Sequence, residues 1–440
     1  MKRALLWFRN DLRLRDHPAL CAALDAGDEI LPVYVLDERL LQRDRWGFRR
    51  LGPFRLRFLL ESLADLQAQL RERGGELLVE VGRPEDVLPE LAKRYECDAL
   101  FAHREYTHEE IETEKALTER LPRVEWRHAL TLIHPGDTPF AYGEVPDVFT
   151  QFRKKVERYC EVRPPLPAPE RVPTLAFEAK PLPAAADFYD ALPPTDPRTV
   201  LEFQGGARAG EARLEHYFWK TKSLSTYKET RNGLLGADYS SKFSPWLANG
   251  CLSPRAVYAA VERYESEVEA NKSTYWLKFE LLWRDYFKYV AMKYGRRIFW
   301  KGGIQDKAVE WRDDHGRFER WRTGSTGDRF VDANMRELLR TGFMSNRGRQ
   351  NVASYLVHQL KQDWRRGAAW FESALIDYDP ASNYGNWMYA AGVGNDPRDR
   401  IFNTQKQAKM YDAGGAYRDR WLEEPAGPED IVRQPKICDF

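Results

Sequence analysis

EILPVYVLD, residues 29–37, is an apolar run closed by an acid at each end, with no polar face to leave in water. It reads as a strand covered on both sides, and it has companions: ALLWFR from residue 4, ELLVEVG, DALFAHRE and VEWRHALTLI. Between them lie amphipathic segments such as FRLRFLLESLADLQAQLRERGG, whose closing glycines suit a helix C-cap. Strands alternating with helices imply a parallel, doubly wound α/β sheet with a ligand crevice at the carboxyl ends of its strands. No G-x-G-x-x-G follows a strand and no G-x-x-x-x-G-K-[ST] occurs, so an ordinary dinucleotide or ATP site is not supported.

This pattern defines an α/β domain over residues 1–135. Residues 136–200 are read as a Pro-rich connection, since ten of the 26 prolines fall between Val162 and Val200. From 201 to 440 apolar residues recur at three and four, as in YWLKFELLWRDYFKYVAMKYG, and predict an all-α domain. FQGGARAGEARLEHYF lacks a preceding strand, so its glycines are read as a helix cap rather than a phosphate loop.

Composition excludes several classes. Lys plus Arg number 68 against 67 acids, so a polyanionic partner needs a local basic patch. The five cysteines are scattered and never form C-x-x-C, and the eight histidines show no metal spacing. A strand beginning at residue 4 leaves no room for a targeting peptide, and no apolar run is long enough to span a bilayer. The expectation is a cytoplasmic monomer without a metal. Eleven of the 14 tryptophans follow residue 200, which suits either a heavy core or a site for a large planar ligand.

Four stretches of the helical region mix aromatic, basic and small polar residues. In the first, Tyr227 to Arg255, the run Ser240, Ser241, Lys242, Phe243, Ser244 sets hydroxyls and a cation around one ring, as a capped loop or a diphosphate site would. In FELLWRDYF, Glu280, Trp283 and Arg284 share one helix face, as an ion pair at the core edge or as a pocket with a stacking wall. GFMSNRGRQN crowds Asn346, Arg347, Arg349 and Gln350. Lys/Arg outnumber acids seven to two over residues 336–366 and six to one over 284–301, which makes a nucleic-acid groove credible. In DYDPASNYGNW, residues 377–387, carboxylates and a glycine break any regular period, so the stretch reads as a loop, yet its aromatics call for a large flat partner.

Taken together, RNDLRLRDHPAL, KFSPWLANGCLSPR, ELLWRDYF, TGFMSNRGRQNVAS, DYDPASNYGNWMYAAGVGNDPRDRIFN and RDRWLEEP make the chain resemble the photolyase and cryptochrome family, most closely its cryptochrome DASH branch. The resemblance implies an antenna domain followed by a helical domain holding FAD. It places Tyr227, Ser240, Ser241, Lys242, Phe243, Ser244, Arg349, Asp377, Tyr378, Asp379 and Asn383 against that cofactor. Asp377 is expected to pair with Arg349, Asp379 to meet the polar edge of the ring, and Asn383 its reactive nitrogen. Trp387, Trp364 and Trp311 are matched to an electron relay, with Trp387 as first donor to photoexcited flavin.

The implied activity is blue-light repair of cyclobutane pyrimidine dimers in damaged DNA. Glu280 and Asn346 would contact flipped bases, Trp283 stack on them, and Arg231 and Arg347 hold backbone or pocket. Gln350 stands where Met is usual and Tyr389 where a second tryptophan is usual, which points to single-stranded substrate. The branch commonly binds methenyltetrahydrofolate as antenna, with Glu105 as the contact; a strand-end carboxylate paired with Arg104 or a nearby lysine is the alternative. A blue-light photoreceptor with little repair is the second functional reading.

Overall fold

The computed structural model describes residues 2–396 and 401–423; Cys438, the end of RDRWLEEP and part of GVGNDPRDRIFN lie outside them. The amino-terminal strands are β1 (Arg3–Phe8), β2 (Glu29–Asp37), β3 (Leu78–Gly82), β4 (Ala99–His103) and β5 (Val124–Arg127). They form one sheet in the order β3-β2-β1-β4-β5, with every pair parallel. Helices α1 (Pro18–Ala26), α2 (Pro53–Arg71), α3 (Pro84–Arg94) and α4 (His108–Arg120) make the crossovers. Leu5, Leu31, Val33 and Leu100 bury themselves in one core and Leu6, Phe8, Ile30 and Phe101 in another, which is why the strands carry no polar alternation. The strand order reverses between β1 and β4. Arg9–Asn10 and Arg104–Glu105 lie just past their carboxyl ends, at the switch point where α/β sheets open a crevice.

The connecting region is only partly irregular. Helix α5 (Phe149–Tyr159) occupies its start, whereas 162–200 contains a single bridge at Thr174 and one short 3₁₀ turn. The helical region follows as α6 (Ala207–Glu215), α7 (Tyr227–Thr230), α8 (Ser244–Ala248), α9 (Pro254–Glu267), α10 (Lys272–Tyr294), α11 (His315–Arg322), α12 (Arg329–Thr341), α13 (Asn346–Ser354), α14 (Trp364–Ala374), α15 (Pro380–Ala391), α16 (Thr404–Tyr411) and α17 (Ala416–Leu422). The glycines before α6 do cap it. Gly205 and Gly206 donate to Glu61 Oε2 at 2.7 Å and Ser62 Oγ at 3.0 Å on α2.

Residues 377–387 correct the loop expectation: only Asp377–Asp379 is loop, and Pro380 opens α15. Asp379 caps it by accepting from the Ser382 N–H at 2.7 Å, and proline at the first helical position suits its fixed φ. Gly385 does not break the helix. A side chain there would collide with the Phe287 ring, so the glycine lets α15 lie directly against α10.

The two regions interlock through buried polar contacts. Asp16 accepts from Arg255 at 2.5 and 3.0 Å, from Ser253, and from the Leu166 N–H at 3.1 Å. Arg13 donates to the Gly250 carbonyl at 2.7 Å. Gly250 takes a left-handed φ of 69°, and a Cβ there would strike the Asn10 backbone.

Among the described residues one cluster has metal-ligand composition: Asp11, His17 and His103, all buried. Spacing along the chain gave no sign of it. The backbone N–H groups of Leu20 and Ala19 donate to His17 Nδ1 (2.9 Å) and His103 Nε2 (3.3 Å). His103 Nδ1 then carries the proton it directs at Asp11 at 2.6 Å, whereas His17 Nε2 lies 3.2 Å from the same carboxylate without a hydrogen bond. Burial pushes His103 down to about 3, in keeping with a neutral ring. The His103–Asp11 bond braces β1 against β4, and its proton occupies the His103 lone pair that a metal would need.

Candidate functional site

Helix α10 supplies one wall of the site. Asn271 starts it, accepting from the N–H groups of Ser273 (2.7 Å) and Thr274 (3.1 Å), and Gly295 ends it. The three- and four-residue spacing directs Glu280, Trp283, Arg284 and Phe287 into a cavity of about 490 Å³. The opposite wall comes from α13 and α15, and the floor from the loop before α8.

The expected cofactor residues converge there. Tyr227, Ser240, Ser241, Lys242, Phe243, Ser244, Arg349, Asp377, Tyr378, Asp379 and Asn383 all line the cavity. Arg349 donates to Asp377 Oδ2 at 2.8 Å, as expected. The other oxygen, Asp377 Oδ1, is buried without a hydrogen-bond partner among the described residues, so a ligand N–H or O–H fits against it. Asp379 binds Lys288 at 2.6 Å. Burial opposes its ionisation, but Lys288 and Arg284 outweigh that and hold the carboxyl well below the usual range. The Asn383 amide donates to the Ala368 carbonyl at 3.0 Å, which leaves its oxygen as acceptor. A planar, diphosphate-bearing cofactor fits this set: hydroxyls and a lysine at one end, carboxylates and an amide at the other.

Lys242 is 4% exposed, donates to the Ala237 carbonyl at 2.7 Å and lies 3.3 Å from the centre of the Tyr239 ring. Behind it Glu337 is fully buried. Tyr417 stands 2.6 Å from Glu337 and 3.0 Å from Asn334 Oδ1, and the Asn334 amide nitrogen is spent on the Phe330 carbonyl. Tyr417 has one proton for these two acceptors, so a neutral Glu337 donating to the Tyr417 oxygen would satisfy both contacts. Burial pushes it up to about 8 in agreement. A carboxyl raised in the folded state stabilises fully below its unfolded value of 4.5 and loses that contribution as pH rises through about 8. The slope is about 1.4 kcal/mol per pH unit within this window. Glu337→Gln is expected to flatten the fall of melting temperature between pH 5 and 8. An unchanged slope by scanning calorimetry counts against a neutral Glu337.

The substrate set meets the same cavity. Arg231, Glu280, Trp283, Asn346, Gln350 and Tyr389 line it. Trp283 is stacked on Phe149 of α5 at 3.7 Å and 13°, with Tyr389 edge-on at 5.6 Å, so the two rings form a corner. Phe149 was invisible to the sequence reading because it lies in the connecting region. Glu280 pairs with Arg231 at 2.6 Å, yet burial raises its pKa despite that cation. Arg347 is the exception, since it lies outside the lining.

Trp387 lies on α15, Trp364 begins α14, and Trp311 lies in the segment before α11. Trp387 is buried and packs on Gly367 of α14, where any side chain would collide with its ring. Trp364 sits one turn earlier on α14 and donates to the Lys301 carbonyl at 3.1 Å. Trp311 precedes Arg312, which pairs with Gln362 beside the start of α14. A fourth ring escaped the motif reading: Trp321 lies 6.2 Å from Trp387, edge-on. The basic runs are less open than their charge suggests. Lys288, Lys293, Arg349, Arg365 and Arg366 each pair with an acid, while Arg296 and Lys301 are exposed.

Glu105 is buried at the sheet's switch point and accepts from Asn10 at 2.9 Å. The alternative pairing with Arg104 does not occur, since Arg104 faces Glu114 at 3.6 Å. Burial raises Glu105 to about 7. Among the described residues no helix is long and apolar enough to cross a membrane.

Comparison with known proteins agrees with this architecture. The family model of DNA photolyase matches residues 4–170, and that of the FAD binding domain of DNA photolyase matches 276–438. The cryptochrome DASH of Gloeobacter violaceus is 52% identical over 443 residues, covering 99% of this chain and 88% of that protein. A crystal structure of a Synechocystis cryptochrome superposes with a TM-score of 0.93 at 50% identity, covering 96% of this chain and 89% of that one. A bacterial class III photolyase from Agrobacterium tumefaciens gives 0.82 at 30% identity, with 96% and 87% covered.

Proposed function

Because the chain belongs to the photolyase and cryptochrome family, in its cryptochrome DASH branch, we propose that it repairs cyclobutane pyrimidine dimers under blue light, with single-stranded DNA as the favoured substrate. The observation that carries this reading is the shared cavity: residues suited to hold a flavin and residues suited to hold nucleobases line one continuous space. FAD, bound and reduced, supplies the light-driven electron chemistry. The chain's part is to bind, orient and shield.

Asp377 with Arg349, the Ser240–Ser244 run and Asn383 hold the cofactor; the Asn383 oxygen accepts from an N–H and offers no proton in return. Trp283 gives a flat wall to an extruded base, and Glu280 an acceptor for an N–H on its pairing edge. The corner with Tyr389 excludes water from the space between base and cofactor. Loss of one defined dimer from a single-stranded oligonucleotide under blue light, with chemically reduced protein, tests the reading. No loss, with flavin demonstrably bound, favours the photoreceptor alternative, for which light-dependent partner binding is then the assay.

The antenna belongs to the same proposal. Glu105 and Asn10 close the switch point of the sheet, and methenyltetrahydrofolate is the ligand this reading assigns there. In Glu105→Gln the near-ultraviolet folate band is expected to fall severalfold relative to the flavin band. Equal band ratios in the purified wild-type and variant proteins rule this residue out.

A further inference from the structure

Arg347 opens α13 beside the cavity, but its guanidinium is committed elsewhere. One terminal nitrogen donates to Gln350 Oε1 at 2.9 Å and the other to Asn232 Oδ1 at 2.9 Å. Its plane lies 4.7 Å from the centre of the Tyr411 ring on α16. Three separate segments therefore hold it in the wall. An arginine has only donors, so the Gln350 atom facing it must be the carbonyl oxygen. The amide nitrogen of Gln350 then points away from Arg347. Gln350 lines the cavity, and its NH₂ group has no hydrogen-bond partner among the described residues.

We infer that Arg347 is a positioning residue that locks the Gln350 amide as a pure donor toward the bound base, making Gln350 select dimers with a carbonyl at C4, those of thymine or uracil, over cytosine dimers. The inference rests on the repair reading above and adds its base preference. Glu280 supplies the complementary half. Paired with Arg231, it is an acceptor lining the same cavity, and an acceptor beside a donor answers the N3–H and C4 carbonyl of thymine. Cytosine inverts that pattern, with an acceptor at N3 and a donor at C4, and would leave donor against donor and acceptor against acceptor. Leaving one such buried group unsatisfied is enough for about a tenfold loss of affinity.

Binding in the dark tests this without repair. Fluorescence anisotropy is read for a labelled single strand carrying one thymine dimer, and for the same strand with a freshly made cytosine dimer kept cold against deamination. Wild type is expected to favour thymine about tenfold. Gln350→Glu keeps an acceptor for Arg347 and strengthens that bond, but turns an oxygen toward the cavity. Thymine-dimer affinity should fall by about tenfold to a hundredfold and the preference should invert. Arg347→Met frees the amide to rotate, so the preference should shrink toward unity. If Gln350→Glu binds the thymine dimer as wild type does, Gln350 is only a tether and the inference falls. It falls equally if wild type binds both dimers alike. A wild type that binds a dimer no better than undamaged strand overturns the repair reading itself.

Discussion

Trp387→Phe is expected to slow the light-driven reduction of the bound flavin sharply while leaving the flavin in place. The ring is buried against Gly367 and lines the cavity, so under the proposed relay it would be the short-range donor, and phenylalanine is much harder to oxidise. Phenylalanine fills most of the same volume, so the fold and the Arg349–Asp377 pair should survive. The measurement is the rate of flavin bleaching under blue light with an external reductant, in protein matched for flavin content. Unchanged bleaching removes Trp387 from the route. The structure also poses a choice of second step, because Trp321 lies 6.2 Å from Trp387 while Trp364 sits one turn from Gly367, on which Trp387 packs. Trp364→Phe slows bleaching if the electron is drawn along α14 toward Trp311, whereas Trp321→Phe slows it if the edge-on contact is used. Repair by chemically reduced Trp387→Phe should continue, since the relay serves activation alone.

Repair of one dimer should be roughly 30- to 150-fold faster in a single strand than in a duplex, corresponding to an extrusion cost of about 2–3 kcal/mol. Phosphate contacts do not distinguish the two forms, and they weaken together with salt. Aromatic stacking returns roughly 1–3 kcal/mol per base. Here only Trp283 offers a broad face, already backed by Phe149, while Tyr389 meets it edge-on. Tyr389→Trp should narrow the ratio by improving duplex repair and barely change the single-strand rate. The assay compares both contexts at equal salt with flavin fully reduced. Equal rates in wild type would remove the extrusion argument.

The sheet and the long helices were legible because burial writes itself into periodicity, as in residues 29–37 and in α10. Residues 377–387 were misread for a definable reason. Gly385 and the two aspartates look like a turn in isolation, and only the close approach of Phe287 explains a glycine inside a helix. The residues expected at the cofactor were named through family motifs rather than local chemistry, and the structure brings them to one cavity. What the chain could not announce were contacts made by three segments at once. Arg347 was expected to hold backbone or pocket, and only the fold shows Asn232, Gln350 and Tyr411 around it. The Asp11, His17 and His103 cluster and the Trp321–Trp387 contact are hidden for the same reason.

The Asp16–Arg255 knot bears on how such a chain can be recombined. Arg13, Asp16 and Leu166 come from one side of the junction, and Gly250, Ser253 and Arg255 from the other, with Gly250 pressed on the Asn10 backbone. A chimera joined within the proline-rich connection would inherit half of this buried network from each parent. A mismatch strands Asp16 as an unpaired charge, which is strongly destabilising, at about 3–5 kcal/mol. The amino-terminal region is therefore not an exchangeable cassette: its heritable unit includes residues 249–255, about fifty positions beyond the end of the connection at residue 200.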